Sequence, residues 1–347
     1  MGVFSRDKFR LNYFNRLILT IHVIVLLIAY TIFLNKIFAP TQIPYFNFIS
    51  IGFPIIFVIL MLFMLHWLLF SWRHFVLMLI LSSGIFYSIY LSYPLYNFSK
   101  KSTEVPNLSV MTYNTHGFKA DGTEKFIEEH LTDIMFFQEG GEKSHKNWKA
   151  KKLKDYYAEH YAGLSVYSKY PIIQAQITGS EDPSNSGIAL IVDLDLDTDT
   201  IRVINLYMEP MYIDKTLVKD VILSDTTEEI EESSKKIESK LLKGMKVHMQ
   251  QLDNVIPFIQ KSSHPVLLAS DLNSTPGSYE YETVTKYLDD SYILAGKGNA
   301  TTFHGFKFPI RIDYLFHSKE FEVVDAKVIR KKFSDHFPVI INYKLHK

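Results

Sequence analysis

Asp271 and Asn273 stand two residues apart at the end of the run Val266-Leu267-Leu268-Ala269-Ser270-Asp271-Leu272-Asn273. Residues 266–269 are a short apolar run without helical period, which predicts a buried strand. Pro276 and Gly277 end it. On extended backbone this spacing turns both side chains the same way. A carboxylate and an amide aimed into one cleft can position a water and hold a phosphoryl oxygen. Asp and Asn are also ordinary turn formers, so the pair gains meaning only from the rest of the chain.

Other predicted strands end in the same chemistry. Residues 108–113 alternate as a strand and stop at Asn114-Thr115-His116-Gly117. Residues 134–137 form another short apolar run, closed by Gln138-Glu139. Residues 187–196 and 201–206 read as a hairpin around Asp197-Thr198-Asp199, and the second strand ends in Asn205-Leu206-Tyr207. Residues 310–316 alternate as a strand containing Arg311 and Asp313, and Ser334-Asp335-His336 precedes a last strand. Asn114, Glu139, Tyr207, Asp271, Asn273, Asp313, Asp335 and His336 together are oxygen donors with one imidazole. That is the composition of a hard-cation phosphoesterase site, because Mg²⁺ takes oxygen ligands and keeps several waters. A His held by an Asp can act on a phosphoryl oxygen or as an acid or base. His116, Asn205 and Arg311, beside the same strand ends, are expected as substrate contacts, while His304 reads more readily as a structural loop residue than as one at the entrance.

The elements that must carry these residues read as an α/β layered domain, with strands ending in polar residues and a helix over 123–131 between the first two. Residues 226–243 are dense in Glu and Lys and predict a solvated helix, continuing after a turn or kink near Gly244 into 245–260. The chain holds no internal repeat. The chain contains no Cys, which excludes disulfides and thiolate metal sites and leaves the compartment open.

Residues 106–345 resemble the endonuclease/exonuclease/phosphatase superfamily, which includes DNase I-like nucleases, abasic-site endonucleases, sphingomyelinases and inositol-phosphate phosphatases. The resemblance rests on five blocks in the family's order: Thr112-Tyr113-Asn114, Gln138-Glu139, Ser270-Asp271-Leu272-Asn273, Arg311-Ile312-Asp313-Tyr314 and Ser334-Asp335-His336-Phe337-Pro338. It implies a two-sheet β-sandwich flanked by helices. It implies Glu139 as principal Mg²⁺ ligand (Mn²⁺ as the alternative ion), with Asn114 beside it and Asp335 near the metal. Asp271 would orient and deprotonate the attacking water, Asn273 would hold phosphate and water, and His336, oriented by Asp313, would contact the scissile phosphate. Where many members carry Asn-x-His, this chain has Asn205-Leu206-Tyr207, as the abasic-site branch does. Tyr207 can still donate to phosphate, but the substrate branch stays open: lipid headgroup, nucleotide or nucleic acid. A nuclease of the same mechanism and a binding domain on an inactive enzyme fold are the competing readings.

Ahead of this domain (106–347) and a polar linker (97–105), residues 1–96 hold three apolar runs, at 17–34, 48–70 and 75–95. Each is long enough to cross most or all of ~30 Å of hydrocarbon, so the chain is expected to be membrane-embedded. Arg6, Lys8, Arg10 and Arg16 precede the first run, which keeps the N-terminus cytoplasmic. Three crossings then place the catalytic domain outside a bacterial inner or plasma membrane, in the periplasm or exterior. His22 and His66 lie inside the runs without an acidic partner, as expected of hydrogen-bonded neutral histidines rather than a transport path. The chain carries 37 basic and 37 acidic residues, of which residues 97–347 keep 31 and 36, a formal charge of −5. An acidic domain is a poor start for non-specific nucleic-acid binding. Nothing in the sequence points to an obligate protein partner.

Overall fold

The computed structural model describes residues 11–94, 102–141, 152–178, 189–197, 199–211, 221, 223–224, 226–305 and 310–346. Arg6, Lys8 and Arg10 of the basic tail, residues 97–101 of the linker, Gly187 and Thr198 lie outside them.

Three helices long and apolar enough to cross a membrane come first. Helix α1 (Tyr13–Tyr30) runs on through a 3-10 segment, Thr31–Lys36. Helix α2 (Tyr45–Phe70) and helix α3 (Trp72–Ser92) are separated by Ser71 alone, whose extended backbone breaks the helix. Both intrahelical histidines are hydrogen-bonded to a neighbouring helix. Trp67 Nε1 donates to His22 Nδ1 at 3.0 Å, and His66 Nε2 lies 3.1 Å from Asn15 Oδ1.

The remainder is two mixed six-stranded sheets. One orders as β11 (Phe321–Val328), β12 (Val339–Leu345), β1 (Leu108–Asn114), β2 (Ile134–Gln138), β4 (Leu164–Ser168) and β3 (Tyr157–Tyr161). The other orders as β5 (Ile172–Thr178), β6 (Ala189–Asp195), β7 (Thr200–Tyr207), β8 (Val266–Asp271), β10 (Asp313–His317) and β9 (Asp289–Asp290). Val110, Phe136 and Val166 of the first sheet face Val192, Val203, Leu267 and Leu315 of the second in one core. The outer faces are covered too. Helix α4 (Thr123–Glu128) packs on Met111, Met135 and Phe137. Helix α5 (Thr227–Gln260) packs on Ile191, Ile204 and Leu268. Burial on both faces explains why β2 and β8 read as continuous apolar runs instead of alternating.

Two element readings change. The expected kink at Gly244 is absent and α5 is continuous. Gly244 is needed there for close approach, since a Cβ would come within 2.8 Å of Met211 Sδ. The expected strand over 310–316 begins only at Asp313, because Ile310 pairs with Phe303 across a loop before β10 starts. The edge strands β3 and β5 carried no clear pattern, since many of their positions are half-exposed.

The three apolar helices pack directly on the two-sheet unit. Asn35 Nδ2 donates to the Gly277 carbonyl at 2.8 Å, and Thr275 Oγ1 donates to the Ser50 carbonyl at 2.9 Å. Asn47 Nδ2 donates to Glu280 Oε2 at 3.0 Å, and Asn47 Oδ1 accepts from the Tyr279 amide at 2.8 Å. The segment 273–280, which follows β8, is therefore pinned by α1 and α2.

Candidate active site

Register alone assembles the first part of the site. Tyr207 pairs with Asp271 across β7 and β8, and Asp271 pairs with Asp313 across β8 and β10. Directly opposed residues share a face, so these three stand in one row at the mouth of the second sheet. Asn114 pairs with Gln138 at the same end of the first sheet, putting Glu139 just beyond it. Glu139, His116 and Asn273 all have left-handed backbone, with φ of 52°, 46° and 45°. Such geometry costs of order 1–3 kcal/mol at a non-Gly residue and concentrates at functional positions.

Asn114 ties the two sheets' carboxylates together. Its Nδ2 lies 3.0 Å from Glu139 Oε1 and 3.0 Å from Asp271 Oδ2, while its Oδ1 accepts from the His116 amide at 3.1 Å. Tyr207 donates its hydroxyl to Glu139 Oε1 at 2.8 Å. The other carboxylate oxygen of Glu139 is 3.3 Å from His116 Nδ1, which is also 3.9 Å from Asp335 Oδ1. Asn273 donates its backbone amide to Asp271 Oδ1 and its Nδ2 to the Met208 carbonyl.

On the far side His336 Nδ1 lies 2.9 Å from Asp313 Oδ2, and His336 Nε2 lies 3.9 Å from Asp271 Oδ2. Asp313 is itself seated by Thr302, whose Oγ1 accepts from its amide. Phe303 packs edge-on against the imidazole, with centroids 4.9 Å apart. Burial by itself lowers the His336 pKa, but Asp313 and Asp271 outweigh it and raise it to about 10. Burial and then the charge of Asp313 raise Asp271 to about 7, against the opposing pull of His336, Asn114 and the Asn273 amide. A cationic imidazole beside a carboxylate poised near neutrality can donate to an anion while its neighbour accepts a proton.

Two expected substrate contacts are corrected. Arg311 is buried outside the cleft, donating to Asp290 Oδ1 at 2.6 Å and to the Leu91 carbonyl of α3 at 2.9 Å. It precedes β10 and points to the apolar helices, the opposite way from Asp313. Asn205 is buried between the sheets, where its Nδ2 donates to the Phe137 and Ser165 carbonyls and its Oδ1 accepts from Gln138. Both residues spend their polar atoms on structure. His304 also turns inward, its Nε2 lying 2.9 Å from the Ser334 carbonyl.

The cleft encloses about 240 Å³. His116, Glu139, Tyr207, Asn273, Asp335 and His336 line it, together with Ile51, Met211, Phe303 and Ile312. Ile51 and Met211 were outside the sequence reading, since nothing local marks an apolar residue of a long helix as the wall of a distant cleft. The buried set Asn47, His248 and Glu280, described below, left no signal either.

Two groupings could hold a cation. Asp271, Asp313 and His336 lie close enough for one. Glu139 and Asp335, with the Asn114 amide, form the other, and their half-exposed carboxylates converge on His116. The oxygen-only chemistry of the second set suits Mg²⁺ or Mn²⁺.

A two-layer sandwich with carboxylates, amides and one His gathered at the strand ends is the architecture of a phosphoester hydrolase. A family model described as the endonuclease/exonuclease/phosphatase family matches residues 111–336, and the chain belongs to that family. Its members are hydrolases acting on phosphoester bonds. A second model, described as a domain of unknown function, matches residues 15–93. Among solved structures, a mannosyl-6-phosphatase of Bacteroides thetaiotaomicron is 19% identical, with 69% of this chain and 100% of that one covered and a TM-score of 0.48. The human Nocturnin catalytic domain with bound sulfate is 14% identical over 69% and 94%, with a TM-score of 0.49. A family protein of Leptotrichia buccalis is 18% identical over 69% and 100%, with a TM-score of 0.48. A search of curated proteins finds no sequence match.

Proposed function

We propose that this chain is a membrane-anchored, Mg²⁺-dependent phosphoesterase that hydrolyses its substrate by in-line attack of water. The observation that carries this reading is the continuous chain of contacts from Asp313 through His336 and Asp271 to Asn114 and Glu139. It sets a buried proton acceptor directly behind a cleft lined by the imidazolium donor His336 and by the carboxylates of Glu139 and Asp335.

Asp271 accepts a proton from the water as its oxygen attacks phosphorus, and the bond from phosphorus to the leaving alcohol oxygen breaks. The alkoxide recovers a proton from water in the open cleft. His336, held cationic by Asp313, donates to a phosphoryl oxygen where negative charge builds. Asn273 contributes its side-chain amide beside the water, and Tyr207 orients Glu139. Glu139, Asn114 and Asp335 would hold the cation, which when bound offsets charge on the phosphoryl group. The all-oxygen donors of Glu139, Asn114 and Asp335 support placing the metal on that side, which leaves His336 free to face the phosphate. Among the described residues no Lys or Arg lines the cleft, which weighs against a nucleic-acid backbone as substrate.

Several observations support the orientation of the domain outside the membrane. The end of α1, the start of α2 and the end of α3 all meet the two-sheet unit. Arg16 and Arg73 therefore lie at the opposite ends of their helices, on the side that retains positive charge.

The test is hydrolysis of p-nitrophenyl phosphate and bis-p-nitrophenyl phosphate by the full chain in detergent, with Mg²⁺ and after chelation. Activity is expected to need metal and to fall at least ~100-fold in Glu139→Ala, Asp271→Asn and His336→Gln, with the thermal midpoint within a few degrees of the parent. Metal-independent turnover, or full activity in Asp271→Asn, would refute the assignment.

A further inference from the structure

Ile51 belongs to an apolar helix and also walls the catalytic cleft. On α2 the same face continues from Ile51 through Ile55, Val58, Leu62, Leu65 and Leu69. Steps of four and three residues keep these side chains on one stripe of a helix. From Ile55 onward each of them is 50–70% exposed in the protein alone, so this is the stripe that meets hydrocarbon if α2 spans a membrane. The opposite face of α2, with Phe53, Leu60, Met64 and Trp67, is the one buried against the other helices.

The length of α2 sets the depth of the cleft. From Ile51 to the end of the helix at Phe70 is ~28 Å at 1.5 Å per residue, close to the ~30 Å hydrocarbon thickness. Ile51 therefore sits at the boundary of the hydrocarbon. The other contacts agree on that level. Ser50 holds Thr275, two residues after Asn273, and Ser92 at the end of α3 accepts from the Ala300 amide. Exposed Tyr45 precedes Ile51, and exposed Trp72 stands at the opposite end, both where aromatic residues mark membrane interfaces. The wall continues upward from Ile51 to Met211, which packs with half-buried Phe48 of the same helix.

We propose that the substrate of this site is a phosphate ester of a membrane lipid, entering along the α2 stripe with its phosphate against His336 and Glu139 and its first acyl carbons against Ile51 and Met211. The inference rests on the phosphoesterase reading above and specifies its substrate class. A cleft of about 240 Å³ receives a headgroup and the start of the glyceride, and the rest of the chains stays in the bilayer. A polar floor with an apolar wall continuous with hydrocarbon matches such a molecule. A sugar phosphate or nucleotide would leave that wall unused. Water attack releases the phosphate-bearing headgroup, or inorganic phosphate, with a lipid alcohol as the other product.

The test uses the full chain in phosphatidylcholine nanodiscs with Mg²⁺. Four esters are compared: dioleoyl phosphatidic acid and dioleoyl phosphatidylglycerol in the bilayer, and their dibutyryl counterparts dissolved in water. Within the ester type that is cleaved, kcat/KM is expected to be at least ~10-fold higher for the long-chain form, because residence in the nanodisc raises its effective concentration beside the cleft. Ile51→Gln should lower that long-to-short ratio several-fold. A ratio read within one preparation is insensitive to any misfolded fraction. Equal rates for long and short chains, or a ratio unchanged in Ile51→Gln, overturns the lipid assignment. Metal-dependent cleavage of the soluble esters, lost in Glu139→Ala, would leave the phosphoesterase reading standing in that case. No cleavage of any of the four, or of the nitrophenyl esters, removes both.

Discussion

Replacing Asn47 by Ala tests whether the apolar helices are part of the catalytic unit's architecture. Asn47 lies on α2, yet its whole side chain is spent on the segment after β8. Its Nδ2 donates to both oxygens of Glu280, at 3.0 and 3.3 Å, and its Oδ1 accepts from the Tyr279 amide at 2.8 Å. Glu280 is fully buried, and its other partner is His248 of α5 at 2.7 Å. Burial alone raises the Glu280 carboxyl, but the bonds from His248 and Asn47 outweigh it and hold it below its ordinary value. Asn47→Ala removes a hydrogen bond to a buried charge, about 1.5–3 kcal/mol, and leaves a backbone N–H without its acceptor, about 1–3 kcal/mol. The sum is about 2.5–6 kcal/mol, or a fall of about 5–24 °C in thermal midpoint for a domain of this size. The assay is circular-dichroism melting of the full chain in detergent micelles, with Glu280→Gln and the double variant completing a cycle. The pH dependence has a definite sign. A carboxyl whose folded pKa is depressed contributes its full stabilisation above the unfolded value near 4.3 and loses it as pH falls through the lower folded value. The gap between parent and Asn47→Ala should therefore be widest at neutral pH and shrink below about pH 4. A midpoint within 1–2 °C of the parent at pH 7 would refute the claim that α2 seats this segment.

Two further substitutions separate structural from catalytic roles. Arg311→Met should lower the midpoint strongly, because it strands buried Asp290, a loss of about 3–5 kcal/mol. The fraction that stays folded should hydrolyse a soluble ester at a near-parental rate; a loss of rate in a fully stable variant would restore Arg311 to the substrate site. Asn205→Leu should destabilise by about 3 kcal/mol, since it removes three buried side-chain hydrogen bonds, to the Phe137 and Ser165 carbonyls and from Gln138 Nε2, at about 1 kcal/mol each. Chemical denaturation measures this, and a parental midpoint would refute it.

The sequence by itself determined much about this protein. The length of the apolar runs marks three helices able to cross a membrane, since that property depends only on consecutive residues. The uninterrupted apolar runs of β2 and β8 mark strands covered on both faces. The polar residues that close those strands mark the cleft, because a strand's end and its last side chains are local features. Asn114, Glu139, Asp271, Asp313 and His336 were all legible in this way, and the register then set them side by side.

Arg311 and Asn205 were not legible, although they stand within two residues of Asp313 and Tyr207. Whether a polar side chain faces the cleft or a neighbouring layer depends on what packs there, and the partners of Arg311 lie as far away as Leu91 of α3. The kink expected at Gly244 failed for a related reason. The glycine answers Met211, more than thirty residues earlier, and not the helix's own path. Only the tertiary structure decided that α2 begins beside the catalytic row, with Asn47 on Glu280 and Ile51 in the cleft wall. Such contacts join segments more than 200 residues apart, and no periodicity or motif encodes them, because they arise only when two independently patterned units pack against each other.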